Sequence, residues 1–226
     1  MLFYSQTSFM IKLIELHMMI YRGGLLMSEV IKATNDVIVT IEHINGSDRQ
    51  VADAARTTIN LTAGNKEVTP AYMRKMYMCE HSPIRIKEFN IVIENIPYWV
   101  AMHFVRHHVG VTPFVSTQRT DRTNTTKRGE QDAPVMLRMV ANAQAIMAMS
   151  RKRLCLCASK ETRSTWIKVL NAIKEYDEAL YKCCVPECVY RGFCPEFYDC
   201  SDKGTKFKYC DTQAYQIALE EYRDFR

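Results

Sequence analysis

From residue 86 to 94 the chain follows period two, with Phe89, Ile91 and Ile93 on one face and Asn90, Val92 and Glu94 on the other. That alternation predicts a strand. An earlier strand is expected over residues 37–43, a β-branched run closed by the turn pair Asn45-Gly46. Residues 51–58 are small and Ala-rich, which fits a closely packed helix or turn. Thr69-Pro70 supplies an N-cap and a first helical residue for a helix reaching about Cys79. Pro97 opens another, with Trp99, Val100, Met102, His103 and Phe104 in its body and Gly110 as the expected cap. Asp132 and Pro134 read as the start of a long Met- and Ala-rich helix reaching about Lys152. Ser159 starts a further helix, in which Trp166, Leu170, Ile173, Asp177 and Leu180 recur at three and four residues. Periodicity is lost after Pro186 until a short amphipathic helix near residues 213–222. Strands early and helices late describe an α+β chain.

Composition narrows the picture. With 226 residues and 47% hydrophobic content the chain can bury one ordinary core, so a single domain is expected over residues 28–226. No segment repeats or is low in complexity. The net charge of +5 suits a small anionic ligand as well as nucleic acid. Nine cysteines, an odd number, without a convincing secretory signal point to reduced thiols and a cytoplasmic location. The apolar run 10–20 carries Lys12, Glu15 and His17 and is too short to span a bilayer, so no membrane association is expected. Residues 1–27 read as a leader or an upstream-start extension, with Met27 as the candidate start.

The densest chemistry lies in Arg106-His107-His108, followed after seven residues by Ser116 and then Gln118-Arg119. Basic residues are common at a helix C-terminus, where the dipole favours them. Consecutive helical residues point in different directions. These three therefore share a pocket only if the helix ends among them or a ligand lies on two sides. Arg151-Lys152-Arg153 invites a nucleic-acid reading, but no recognised module or interleaved aromatic accompanies it, and nucleic acid is not an expected partner. In the Cys-rich stretch 183–210, Cys184, Cys188, Cys194 and Cys200 lack the paired spacing of structural zinc. Four thiolates there could still close a tetrahedral site, but reduced thiols packing an interface are expected, and no metal.

The Arg106 segment resembles the signature of ThyX, the flavin-dependent thymidylate synthases, written Arg-His-Arg, seven residues, Ser. Asp48, Val51, Ala52 and Ala54-Ala55-Arg56-Thr57-Thr58 are similar to an upstream element of that family, with Thr58 at its flavin-contacting hydroxyl. Glu80-His81-Ser82-Pro83 resembles its His-x-Ser/Thr-Pro element, with Ser82 at the hydroxyl position. Asn142-Ala143, Arg153, Ala158, Glu161 and Arg163 run without a gap against a downstream block. The four blocks keep their order over about residues 37–180.

The resemblance implies a ThyX-like fold with a central antiparallel sheet and long helices, assembled as a homotetramer with sites between subunits. It implies reductive methylation of deoxyuridylate (dUMP) at C5 to dTMP, with reduced FAD relaying a methylene group from methylenetetrahydrofolate and NADPH reducing the flavin. By matched position Arg106, His107, His108, Thr58, Ser82 and Arg153 would hold FAD. Ser116 and Arg119 would approach the nucleotide, and Arg163 would bond and polarise the pyrimidine. The departures are His108 for an Arg, Phe114 for a Glu near the nucleotide, Gln144 for a phosphate-binding Arg and His103 for a Gln. Arg85-Ile86 also replace Glu-His, and an extra residue separates Ser116 from Arg119. Action on another nucleotide such as deoxycytidylate, hydroxymethylation, a nucleic-acid-binding module and a catalytically dead structural protein stand as alternatives.

Overall fold

The computed structural model describes residues 36–224 except 206, so the expected leader and the start at Met27 lie outside it. Four antiparallel strands form one sheet in the order β1 (Ile38–Asn45), β2 (Glu88–Pro97), β4 (Pro134–Asn142) and β3 (Val111–Val115). The α+β expectation holds, and β1 and β2 fall where the β-branched and alternating runs predict them. Helix α1 (Asp48–Thr57) begins with a capping box: Gln50 N donates to Ser47 Oγ at 3.2 Å, and Ser47 N donates to Gln50 Oε1 at 2.8 Å. Helix α2 (Pro70–Met78) starts at the expected Thr69 cap. A 3-10 turn (Ser82–Ile86) then leads into β2.

Three expectations are corrected. The long helix predicted from Asp132 is strand β4 followed by helix α4 (Ala143–Arg153). Val135, Leu137, Met139 and Ala141 are buried in alternation, a period-two pattern hidden beneath Met and Ala, residues with high helix propensity. Asn142 ends the strand and caps α4, accepting from Ala145 N at 2.9 Å. Helix α3 (Tyr98–Val105) stops short of Gly110, with Arg106 as its C-cap. Gly110 instead has φ +71° and leads into β3; a Cβ there would lie 2.6 Å from the Asn142 amide. The helix opened by Ser159 is two helices, α5 (Lys160–Lys174) and α6 (Glu178–Cys183). Asp177, placed in an apolar stripe by the periodicity, is the N-cap of α6 and accepts from Leu180 N at 2.8 Å. A short helix α7 (Glu187–Arg191) and helix α8 (Gln213–Arg223) complete the described fold.

The main core lies between the sheet and α3, α4 and α5, where Phe104 and Trp166 stack at 5.6 Å between ring centroids. Trp166 donates its indole N–H to buried Ser150 at 2.9 Å. At the rim, Lys87 Nζ bonds Asp177 at 2.5 Å and Asp48 at 2.6 Å, while Tyr77 donates to Asp177 at 2.6 Å. This network ties α1, α2, β2 and α6 together at the residue that follows the 3-10 turn. Among the described residues no helix is long and apolar enough to cross a membrane.

Candidate active site

Because α3 ends at Val105, Arg106, His107 and His108 leave helical register just where the signature begins. The condition for the three to serve one ligand is therefore met. Arg153, the last residue of α4, reaches back to them: its Nε donates to His107 Nε2 at 2.9 Å, and a terminal nitrogen donates to the His103 carbonyl at 2.6 Å. A guanidinium can only donate, so His107 Nε2 carries no proton and the neutral ring holds its proton on Nδ1. Desolvation, then Arg153 and then His108, push the His107 pKa down to about 4. His103 is also lowered, by desolvation, Arg153 and Arg106.

Behind this group, His103 Nδ1 meets buried Thr162 Oγ1 at 2.8 Å, and Ser159 donates to the same hydroxyl at 2.8 Å. The chain of contacts locks the last turn of α3 onto the first turn of α5. Thr162 was not singled out by sequence; its only signal is its place at the third helical residue after the Ser159 cap. Burial lowers the pKa of Arg153, and Arg106 lowers it further. Among the described residues neither Arg106 nor Arg153 forms an ion pair with a carboxylate. Two like charges are thus held together without an acidic neighbour, which favours an anion.

An open cleft of about 490 Å³ runs beside Tyr98 and Met102 of α3 and along residues 115–121, so it contains Ser116 and Arg119. Ser116 extends β3: its N donates to Met136 O at 2.9 Å, and its Oγ accepts from Met136 N at 3.0 Å. Arg119 is exposed and forms a two-pronged pair with Asp121 at 3.0 and 2.6 Å, which lowers the Asp121 pKa.

Two of the family departures touch one another. Arg85 Nε donates to Gln144 Oε1 at 2.5 Å, so a cation stands beside Gln144. Arg163 lies in the first turn of α5, half-buried, with one nitrogen donating to Leu156 O at 3.0 Å and also to Ala158 O. Thr58 and Ser82 are exposed on α1 and on the 3-10 turn packed against it. Thr58 Oγ1 donates to Ala55 O at 2.7 Å, and no hydrogen bond among the described residues joins Thr58 or Ser82 to the Arg106 group. The structure thus joins His107 to Arg153 and places Ser116 with Arg119, but leaves Thr58 and Ser82 outside both groups.

No protein-family model matches the chain, and no curated protein matches it by sequence. Solved structures do. ThyX from Helicobacter pylori, complexed with FAD and dUMP, superposes with a TM-score of 0.55 at 11% identity, covering 65% of this chain and 99% of that one. A second structure of that enzyme with FAD and dUMP gives 0.53 at 13%, covering 66% and 99%. The UMP/dUMP methylase PolB from Streptomyces cacaoi, bound with 5-Br dUMP, gives 0.52 at 12%, covering 70% and 96%. The four-stranded antiparallel sheet and its helices therefore have the fold of the flavin-dependent thymidylate synthases and of this related methylase.

Proposed function

We propose that the protein is a flavin-dependent enzyme that methylates deoxyuridylate at C5, with methylenetetrahydrofolate and NADPH as co-substrates. The observation that carries this reading is the pairing of Arg153 with His107 beside Arg106, a cationic group built at a helix end without an acidic partner. Such a group fits the phosphates of FAD. The bound flavin supplies hydride and one-carbon transfer, and the chain supplies position and charge. Arg106, His107, His108 and Arg153 hold the cofactor in this reading, with Thr58 and Ser82 contributed across a subunit boundary. Their separation from the Arg106 group within one protomer supports sites shared in a homotetramer. So does the apolar exposure of Ile38, Phe114 and Met136 on the sheet.

Arg163 is assigned to the pyrimidine. Its bonds to the 156 and 158 carbonyls fix the guanidinium before substrate arrives, so charge developing on the ring meets a donor that need not reorganise. Ser116 and Arg119 line the nucleotide cleft, and Arg85 stands in for the cation missing at Gln144. A cytoplasmic location remains part of the reading.

The test is direct. Purified protein should be yellow with an FAD spectrum, and its reduced flavin should be oxidised on adding deoxyuridylate with methylenetetrahydrofolate, yielding dTMP by mass spectrometry. Colourless protein that takes up no FAD would end the proposal. The exposed Phe114, where the family has an acidic residue, favours a second reading. Under it the substrate is another pyrimidine deoxynucleotide such as deoxycytidylate, and the same assay with that nucleotide decides between them.

A further inference from the structure

Two hydroxyls and an imidazole lie in series where the last turn of α3 meets the first turn of α5. Thr162 is fully buried, so the proton on its hydroxyl needs an acceptor. Among the described residues that hydroxyl meets Ser159 Oγ and His103 Nδ1, each at 2.8 Å. Ser159 Oγ accepts the Thr162 backbone N–H at 3.2 Å and spends its single proton on Thr162 Oγ1. A hydroxyl that receives a proton from Ser159 must place its own elsewhere, and His103 Nδ1 is the acceptor left. The series therefore runs one way, from Ser159 to Thr162 to His103.

That direction fixes the imidazole. An accepting Nδ1 carries no proton, so the neutral ring holds its proton on Nε2. A doubly protonated ring would set its Nδ1 proton against that of Thr162 and strand a buried hydroxyl. Electrostatics act in the same sense, since burial, then Arg153 and then Arg106, lower the His103 pKa. The ring is also held in place. Trp99 packs against it edge to face, 5.6 Å between centroids, and is itself tied to Asp132 through its indole N–H at 2.8 Å. Arg153 holds the backbone at the His103 carbonyl. No hydrogen bond among the described residues uses His103 Nε2, so its proton is available on the edge of the ring turned from Thr162. His107 has the opposite tautomer, because Arg153 donates to its Nε2.

We propose that Thr162, oriented by Ser159, is a positioning residue that locks His103 as the neutral Nε2–H tautomer and makes it a hydrogen-bond donor to the ligand of the Arg106 group. Beside two guanidinium groups a third cation would add repulsion. A neutral donor adds a directed bond to an acceptor oxygen, on a phosphate or a carbonyl, and leaves the local charge unchanged. Because the proton already sits on Nε2, binding requires no change of tautomer. The identity of that ligand as FAD rests on the proposed function; the tautomer does not.

Nitrogen-15 NMR of the full chain, labelled at its histidines, tests the lock without flavin, with His103 assigned by the signal missing from His103→Gln. At neutral pH His103 should show a protonated Nε2 and an unprotonated, hydrogen-bonded Nδ1. Thr162→Val removes the donor and should move the Nδ1 signal toward that of a free imine nitrogen, whereas Thr162→Ser should keep the wild-type pattern. A cationic His103 or a proton on Nδ1 in the wild type would overturn the lock, a result that needs no variant to fold. A wild-type Nδ1 signal in Thr162→Val would overturn it as well. Added FAD should move the Nε2 signal more than Nδ1, and Thr162→Val should bind FAD about tenfold more weakly. An unmoved Nε2 in FAD-bound protein would overturn the donor role. Wild-type protein that takes up no FAD would end the donor role together with the enzymatic reading, while the tautomer stands or falls on the ligand-free spectrum.

Discussion

Replacing Arg153 by Ala removes the link between the end of α4 and the residues that follow α3. Two bonds are lost, to His107 Nε2 at 2.9 Å and to the His103 carbonyl at 2.6 Å. Charge-assisted bonds contribute about 1.5 to 3 kcal/mol each when well formed, and partial exposure puts these at the low end, about 3 kcal/mol together. The electrostatic effect is opposite in sign for His107. Desolvation is the larger reason its pKa sits at about 4, and Arg153 is the next, so the variant should titrate higher but still below the usual imidazole value. In the wild type the unfolded state binds more protons than the folded one between about pH 6.5 and 4, so the contribution of His107 to stability is full above that window and is lost as pH falls through it. Arg153→Ala should narrow the window, and flavin affinity should fall about ten- to a hundredfold. Arg153→Lys keeps the charge without the fork, so His107 should stay depressed while flavin binding weakens. NMR titration of His107 alongside flavin retention measures both. An unshifted His107 titration with unchanged flavin in Arg153→Ala would refute the coupling.

Asp177→Ala should cost about 3 to 5 kcal/mol in denaturant unfolding, because it leaves buried Lys87 with only the more exposed Asp48, unpairs the Tyr77 hydroxyl and removes the α6 cap. Asp48→Ala, on the more exposed side of the same lysine, should cost about 1 kcal/mol, and equal losses would contradict the ranking. Arg163→Ala should slow single-turnover flavin oxidation about a hundred- to thousandfold with flavin still bound, and Arg163→Lys should be nearly as poor. Near-normal rates in Arg163→Ala would remove it from the pyrimidine site. Arg85→Ala should raise KM for the nucleotide more than it lowers kcat, and adding Gln144→Arg should restore binding; no change in KM would show that Arg85 is a surface residue.

What could be read from the chain depended on whether one physical signal dominated. The capping residues Thr69 and Ser159 each carry a local signal and are where the sequence indicates, and the alternating strand expected over 86–94 is found shifted to Glu88–Pro97. Strand β4 escapes a reading by composition because its composition favours helix while its alternation favours strand, and its place in the sheet between β2 and β3 decides the matter through packing. Asp177 looked like an impurity in an apolar stripe because periodicity cannot tell a helix interior from a cap that starts the next helix.

The candidate site divides in the same way. Its residue types are legible in Arg106-His107-His108 and Ser116, but their partners are not. His107 and Arg153 lie 46 positions apart, and they meet only because β4 reverses the chain and delivers α4 to the end of α3. The thiols divide likewise: spacing groups Cys184 with Cys188 and Cys200, but Cys184 packs in the main core with Cys183 while the other two belong to a second, smaller one. The turn from Arg153 to Ser159 sits between these contacts: Arg153 at its start reaches His107, and Arg163 bonds the Leu156 and Ala158 carbonyls within it. It has no periodicity of its own. Arg163 grips it through those two carbonyls, so its role becomes visible only when tertiary contacts are known.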